Sequence, residues 1–393
     1  MKKELRVNKK NLLEHLDNDN KVIGTALNSI KRKSSKKEIN LILNESGVNY
    51  KRIFNSSLEA NKICKHNFDD IENNIIKNIN INKKIKNLQD LIDIINEYPL
   101  RNNIKYNINL KTLNKIKPDL IKLNNMIGLN DIKNNIIKQI LYYLQGLYNF
   151  SEDHRDFMHT VLSGPPGSGK TEVAKIIGNI FSKMGILKEN KFRKVTRSDF
   201  IAGYLGQTAL KTKHLIEESL NGVLFIDEAY ALGNPEKRDS FAKEALDTLC
   251  ESLSNHKDKL MVIIAGYEEE LNKCFFSYNE GLESRFIWRY KTLEYSGEEL
   301  KLIFEKKIRE IGWLIEIDQN KLIKWFDKNK KRFENGGRSI ETLVTKTKIS
   351  HSLRIFGQDS NFQKQINLED LENGLDSMNK YENNKDVISL LYT

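Results

Sequence analysis

Residues Gly164-Pro165-Pro166-Gly167-Ser168-Gly169-Lys170-Thr171 fit the pattern GxxxxGK[ST]. The apolar pair Val161 and Leu162 precedes them, and TEVAKIIGNIFSKM, with apolar residues at helical spacing, follows. A strand, a glycine-rich turn and a helix in that order form a cradle for a chain of phosphates. The glycines let the backbone bend sharply and bring bare N–H groups against phosphate oxygens. The helix start adds partial positive charge. Lys170 has the reach to meet the β- and γ-phosphates, and the Thr171 hydroxyl suits Mg2+. The loop residues are therefore expected to contact ATP.

A second chemical element is Val223-Leu224-Phe225-Ile226-Asp227-Glu228, an apolar run ending in two carboxylates. In an open parallel sheet, ligands gather beyond the carboxyl ends of the strands. Asp227 is thus expected beside the Mg2+ held by Thr171, and Glu228 is expected to polarise an attacking water as general base. An Asp-Glu pair alone serves equally to cap a following helix. Downstream of a phosphate loop, in a strand–helix array, the pair points to transfer of a phosphoryl group from ATP to water.

The elements that must hold these residues are legible in the apolar pattern. HTVLSG, FRKVTR, GVLFID, LMVIIAG and FIWRYKTLEY read as strands, with helical segments between them. Such alternation argues for an α/β fold: a parallel sheet covered by helices on both faces, spanning 121–294. From 295 to 393 helices predominate, as a helical lid and C-terminal tail. Ser296 is the expected N-cap of the first, with Glu299 completing a capping box. Residues 1–120 read as a mostly helical N-terminal region. LQDLIDIINEY there places Leu88, Leu91, Ile92 and Ile95 on one face, and Pro99 and Pro118 punctuate the stretch.

The chain has 393 residues, 39% hydrophobic and 30% charged, with a formal net charge of +11. The excess sits in residues 1–120, about +10 against about +1 for 121–393. A basic arm of that kind attracts nucleic acid or another acidic surface, and a solvated Lys/Asn surface has the same composition. No apolar run approaches the roughly 18 residues that span a bilayer, so no membrane partner is expected. Cys64, Cys250 and Cys274 form no CxxC pairing, which argues against a disulfide scaffold or structural zinc. A cytoplasmic setting is expected.

With GPPGSGKT and VLFIDE in place, residues 121–380 resemble the AAA+ ATPases. More narrowly they resemble the CbbX/SpoVK branch, which contains red-type rubisco activases and stage V sporulation protein K relatives. RSDFIAGYLGQTALKT, GVLFIDEAYAL, VIIAGYEEELNKCFFSYNEGLESRF and NGGRSIETL carry that likeness. The resemblance implies a P-loop NTPase core, a helical AAA+ lid and a ring, usually a homo-hexamer, with ATP sites between subunits. It implies that Ile127 and Gly128 lie against adenine. Arg285 would be the arginine finger reaching a neighbouring subunit's γ-phosphate, with Arg289 as the alternative. Arg338 would be a lid arginine touching phosphate within its own subunit. One departure stands out: many AAA+ proteins end the fourth strand in a polar Asn or Thr, whereas LMVIIAGY ends in Gly266 and Tyr267.

The stretch Gly203-Tyr204-Leu205-Gly206 resembles the pore loop of AAA+ machines that thread protein. An aromatic ring grips extended polypeptide non-specifically, and flanking glycines let a loop move. Lys211 and Lys213 follow only several residues later, so the tip is neutral, unlike a surface for a phosphate backbone. An ATP-driven machine that remodels or threads a protein client is the reading this supports. A nucleic-acid-associated ATPase tethered by residues 1–120 is the alternative.

Overall fold

The computed structural model describes residues 77–151, 154–204, 206–357 and 363–378. Leu205 and most of the basic N-terminal region, including Cys64, therefore lie outside the described residues. The chain divides into one unit of 1–78 with 101–105 and a second of 79–100 with 106–393. The second carries all the chemistry discussed below.

Its centre is a five-stranded sheet made of β1 (Thr160–Ser163), β2 (Phe192–Val195), β3 (Val223–Ile226), β4 (Met261–Gly266) and β5 (Trp288–Lys291), in the order β2-β3-β4-β1-β5. Every pairing is parallel. All residues of β1, β3 and β4 are buried, which requires cover on both faces. The strand period of two divides them cleanly. Leu162, Phe225, Ile263 and Ala265 join one apolar cluster, while Val161, Leu224, Ile226, Val262 and Ile264 join another on the opposite face. The five expected strands are the five observed ones.

The first cluster draws in more chain than the sequence reading allowed. It includes α1 (Leu88–Glu97), α2 (Leu110–Asn124) and α3 (Asn130–Leu144), packed with α4 (Lys170–Lys183), the helix that follows the phosphate loop. A boundary at 120/121 therefore falls inside one packed body. Amphipathic helices look alike in sequence whether they bury their stripe on each other or on a neighbouring domain. Leu88, Leu91, Ile92 and Ile95 are buried as expected. Pro99 lies just beyond α1, but Pro118 lies inside α2 rather than ending it.

Beyond the sheet, the lid has its own core. Helices α5 (Gly297–Glu310), α6 (Gln319–Asn329) and α7 (Gly337–Arg354) pack Phe304, Phe326, Ile340 and Leu343 with residues of the segment 366–378. The capping box at Ser296 is present: its side chain accepts from Glu299 N–H, and the Glu299 carboxylate accepts from Ser296 N–H at 2.7 Å. Among the described residues, no helix is long and apolar enough to cross a membrane.

Candidate nucleotide site

The phosphate loop leaves β1 at Gly164, whose N–H donates to the Gly266 carbonyl at the end of β4, 3.1 Å away. Gly164 has φ 138°, and a methyl group there would stand 1.9 Å from Thr292 Oγ1. Only glycine fits. Ser168, buried, donates from Oγ to the Pro165 carbonyl at 2.8 Å and lies 2.8 Å from Thr292 Oγ1. Thr292, directly after β5, thus braces the loop from behind. On its other side the lid closes in. Gly337 N–H donates to the Gly167 carbonyl at 3.0 Å, and a methyl at Gly167 (φ 66°) would meet Asn335 O at 1.9 Å.

These contacts frame a cleft of about 360 Å³. The loop, except for Pro165, lines it together with Thr171, Asp227, Glu228, Tyr267 and Arg338. The sequence reading named all of these but Tyr267 as site residues, and the structure brings them to one place. Lys170 Nζ donates to the carbonyls of Gly164 (2.9 Å) and Pro165 (2.6 Å), so its ammonium is held over the loop. Burial lowers its pKa; nearby Asp227 and Glu228 oppose that shift, and Arg338 adds to it. Asp227 follows β3 with its N–H bonded to Val195 O, and its carboxylate pairs with Lys194 at 2.6 Å. Glu228 adopts a left-handed backbone (φ 51°), a conformation that costs a non-glycine residue on the order of 1 kcal/mol. That turn ends the strand abruptly and puts Glu228 on the wall of the cleft.

Other sequence candidates are placed elsewhere. Ile127 lines a separate opening with Leu302 and Lys306 of α5, not the phosphate cleft. Gly128 sits against Glu299 and Tyr295. Nearer the loop are Met126 and Tyr295, which flank Gly169. Lys133 fixes this stretch by donating to the carbonyls of Asn124 and Met126. Arg285 ends a short helix, Glu280–Arg285, and donates to Ser254 Oγ (2.7 Å) and Gly281 O (2.5 Å), 5.9 Å from the Phe157 ring. Arg289 pairs with Glu283 and stacks 4.7 Å from Phe276. Neither arginine lines the cleft of its own protomer. Tyr204 is 74% exposed, and the Lys211 ammonium is folded onto the carbonyls of Ser198 and Ile201.

Sequence reasoning missed Thr292, Asn335, Met126, Tyr295 and the Tyr230–Tyr267 pair, whose rings lie 5.8 Å apart at the end of β4. Gly266 makes room for that pair, since a methyl there would come within 2.8 Å of Tyr230 Cδ1. The AGY ending was the available signal.

The donor chemistry fits a triphosphate with magnesium. The Thr171 hydroxyl and Asp227 carboxylate are hard oxygen donors on one cleft. Among the described residues there is no cluster of three or more His, Cys, Asp or Glu to hold a metal unaided.

Fold and site together define a P-loop nucleoside triphosphatase with a helical lid. Residues 160–284 match the family described as "ATPase family associated with various cellular activities (AAA)". The chain is 39% identical over 312 residues to "Putative cfxQ-like protein R730" of Acanthamoeba polyphaga mimivirus, covering 78% of this chain and 76% of that protein. It is 41% identical over 184 residues to "ESX-1 secretion system protein EccA1" of Mycobacterium tuberculosis, a match spanning 46% of this chain and 32% of EccA1. Among solved structures, the FIGL-1 AAA domain in complex with ADP is similar with TM-score 0.46 and 18% identity, over 64% of this chain and 82% of that one. The chain belongs to the AAA family of ATPases and is an ATP hydrolase.

Proposed function

We propose that this ATPase works as a ring, a homo-hexamer, that hydrolyses ATP to remodel or thread a protein client through a central pore. The observation that carries the hydrolytic half is the convergence of Lys170, Thr171, Asp227, Glu228 and Arg338 on one cleft. Lys170 and the loop amides hold the phosphates, and Thr171 with Asp227 would hold Mg2+. The metal, when bound, supplies charge neutralisation at the phosphates. Glu228 takes the proton of the attacking water. Arg338, at the start of α7, ties the lid to the phosphates. Arg285 is assigned to the neighbouring subunit's site, with Arg289 as the alternative; its fixed partners Ser254 and Gly281 hold its guanidinium at a defined place. Affiliation with the CbbX/SpoVK branch and a cytoplasmic setting belong to the same reading, and the identity with a cfxQ-like protein supports a chain of this general build.

Tyr204 supports the protein client. It is exposed beside Gly203 and ahead of Gly206, which takes a left-handed backbone at the start of the next helix. The Lys211 ammonium is taken up by the backbone carbonyls of Ser198 and Ile201. Replacing Tyr204 with Ala is expected to leave basal ATPase within about twofold while removing its stimulation by an unfolded protein, since truncating an aromatic anchor costs about 2 kcal/mol or more. Stimulation by DNA or RNA that ignores Tyr204 would instead favour a nucleic-acid role for residues 1–120.

A further inference from the structure

Asp227 has a partner that the family resemblance does not account for. Lys194 lies on β2, the edge strand, paired in register with Phe225 of β3. Side chains two apart on a strand share a face, so Lys194 and Asp227 are diagonal neighbours by construction. Their strands are also tied at this end by Asp227 N–H donating to Val195 O at 3.1 Å. The contact follows: Lys194 Nζ stands 2.6 Å from Asp227 Oδ2, with the lysine side chain 50% exposed and the aspartate 20%. Asp227 lines the phosphate cleft and Lys194 does not. The carboxylate is therefore shared, with an ammonium on its outer side and the cleft on its inner side.

Two effects of that ammonium oppose each other. It fixes the carboxylate, which helps any ligand of Asp227. It also cancels part of the charge on which a cation depends, and it repels a divalent ion across a single carboxylate group. Repulsion scales with the product of the charges and so doubles against a +2 ion, whereas an ammonium on a half-exposed, flexible stem fixes the carboxylate only weakly. Lys170, already near Asp227, adds in the same sense.

We infer that Lys194 sets the form in which the cation enters the site: it disfavours capture of free Mg2+ and leaves the ion to arrive already bound to the triphosphate. This rests on the proposed reading of Asp227 as a partner of the metal. Nucleotide phosphates bring negative charge of their own, so the penalty from Lys194 falls mainly on the bare ion.

The test uses the full chain, with Mn2+ as the probe. Binding of free Mn2+ without nucleotide is followed by electron paramagnetic resonance, alongside binding of a fluorescent ATP analogue at saturating Mg2+. Lys194→Met is expected to tighten free Mn2+ binding about fivefold, the scale of one half-exposed ion pair, with nucleotide affinity at saturating Mg2+ changed by less than about twofold. Lys194→Arg keeps the charge and is expected to match the unmodified chain. Unchanged or weaker Mn2+ binding in Lys194→Met overturns the inference. A thermal-unfolding scan of each variant controls for folding, and the edge position of a half-exposed side chain makes the substitution mild. Asp227→Asn added to Lys194→Met separates the two levels: if the double variant holds free Mn2+ as tightly as Lys194→Met does, the reading of Asp227 itself fails.

Discussion

Glu228→Gln is expected to lower ATP turnover by about 10²- to 10⁴-fold while leaving ATP bound, as measured by phosphate release and by retention of labelled nucleotide on the same sample. The amide keeps the size of the side chain and removes its capacity to accept a proton. Binding is expected to survive because the groups proposed to hold the phosphates are others: the loop amides, Lys170 and the helix start behind it. Glu228 touches none of the loop's internal supports, which run through Thr292, Gly266 and Gly337. Its left-handed backbone is retained in the variant, since Gln bears the same backbone cost as Glu. A variant that lost binding and turnover together would mean that Glu228 shapes the cleft rather than acting on water.

Asp370→Ala is expected to destabilise the lid by about 3–5 kcal/mol, the usual scale for removing one partner of a buried ion pair. Asp370 is fully buried and accepts from His351 Nδ1 (2.9 Å), from Arg354 Nε and NH2 (2.8 and 2.9 Å) and from Asn367 N–H (3.1 Å). His351 and Arg354 lie on the last turns of α7, and Arg338 lies on its first. The network therefore anchors the helix that carries the cleft-lining Arg338 and whose Gly337 bonds the Gly164–Thr171 loop. Urea unfolding read by tryptophan fluorescence weights the lid, which holds Trp325 and Trp313, the latter's ring 5.1 Å from His351, against Trp288 alone on β5.

The pH dependence has a definite sign. Burial pushes the Asp370 carboxyl up, but hydrogen bonds from Arg354, Asn367 and His351 outweigh it and hold the pKa below the usual aspartate value. A lowered pKa means stability that is complete above the unfolded value near 4 and is lost as pH falls through the folded one. The gap between unmodified and Asp370→Ala chains should accordingly be widest near neutrality and shrink below about pH 4. A gap independent of pH would remove the charge from the explanation.

What could be read from residues alone was whatever depends on short spacing. The phosphate loop and the β3 carboxylates are contiguous motifs, and runs such as VLFI and MVIIA announce buried strands by composition. The capping box at Ser296 spans four residues and was equally legible. Contacts between distant segments were not. Thr292 and Asn335 press on the loop from the end of β5 and from the lid, and neither carries a motif. Met126 rather than Ile127 lies beside Gly169, and spacing alone does not say which of two adjacent residues turns toward the loop. Pro118 misled in the other direction. It sits within a helix whose apolar side is secured by Leu113, Ile116, Leu120 and Leu123, and that packing tolerates the missing N–H. Lys194 was invisible until the register of β2 against β3 was known.

Equilibrium binding of ATP with Mg2+ to the unmodified chain and to Lys170→Ala bears most directly on whether this cleft is where the nucleotide is held. Lys170 is the cation that loop, carboxylates and lid arginine all surround, so its removal should weaken ATP by about 10- to 100-fold, the worth of a strong charge-assisted contact. Equal affinity in the two proteins would contradict the account, because the triphosphate would then be bound somewhere other than the loop described here.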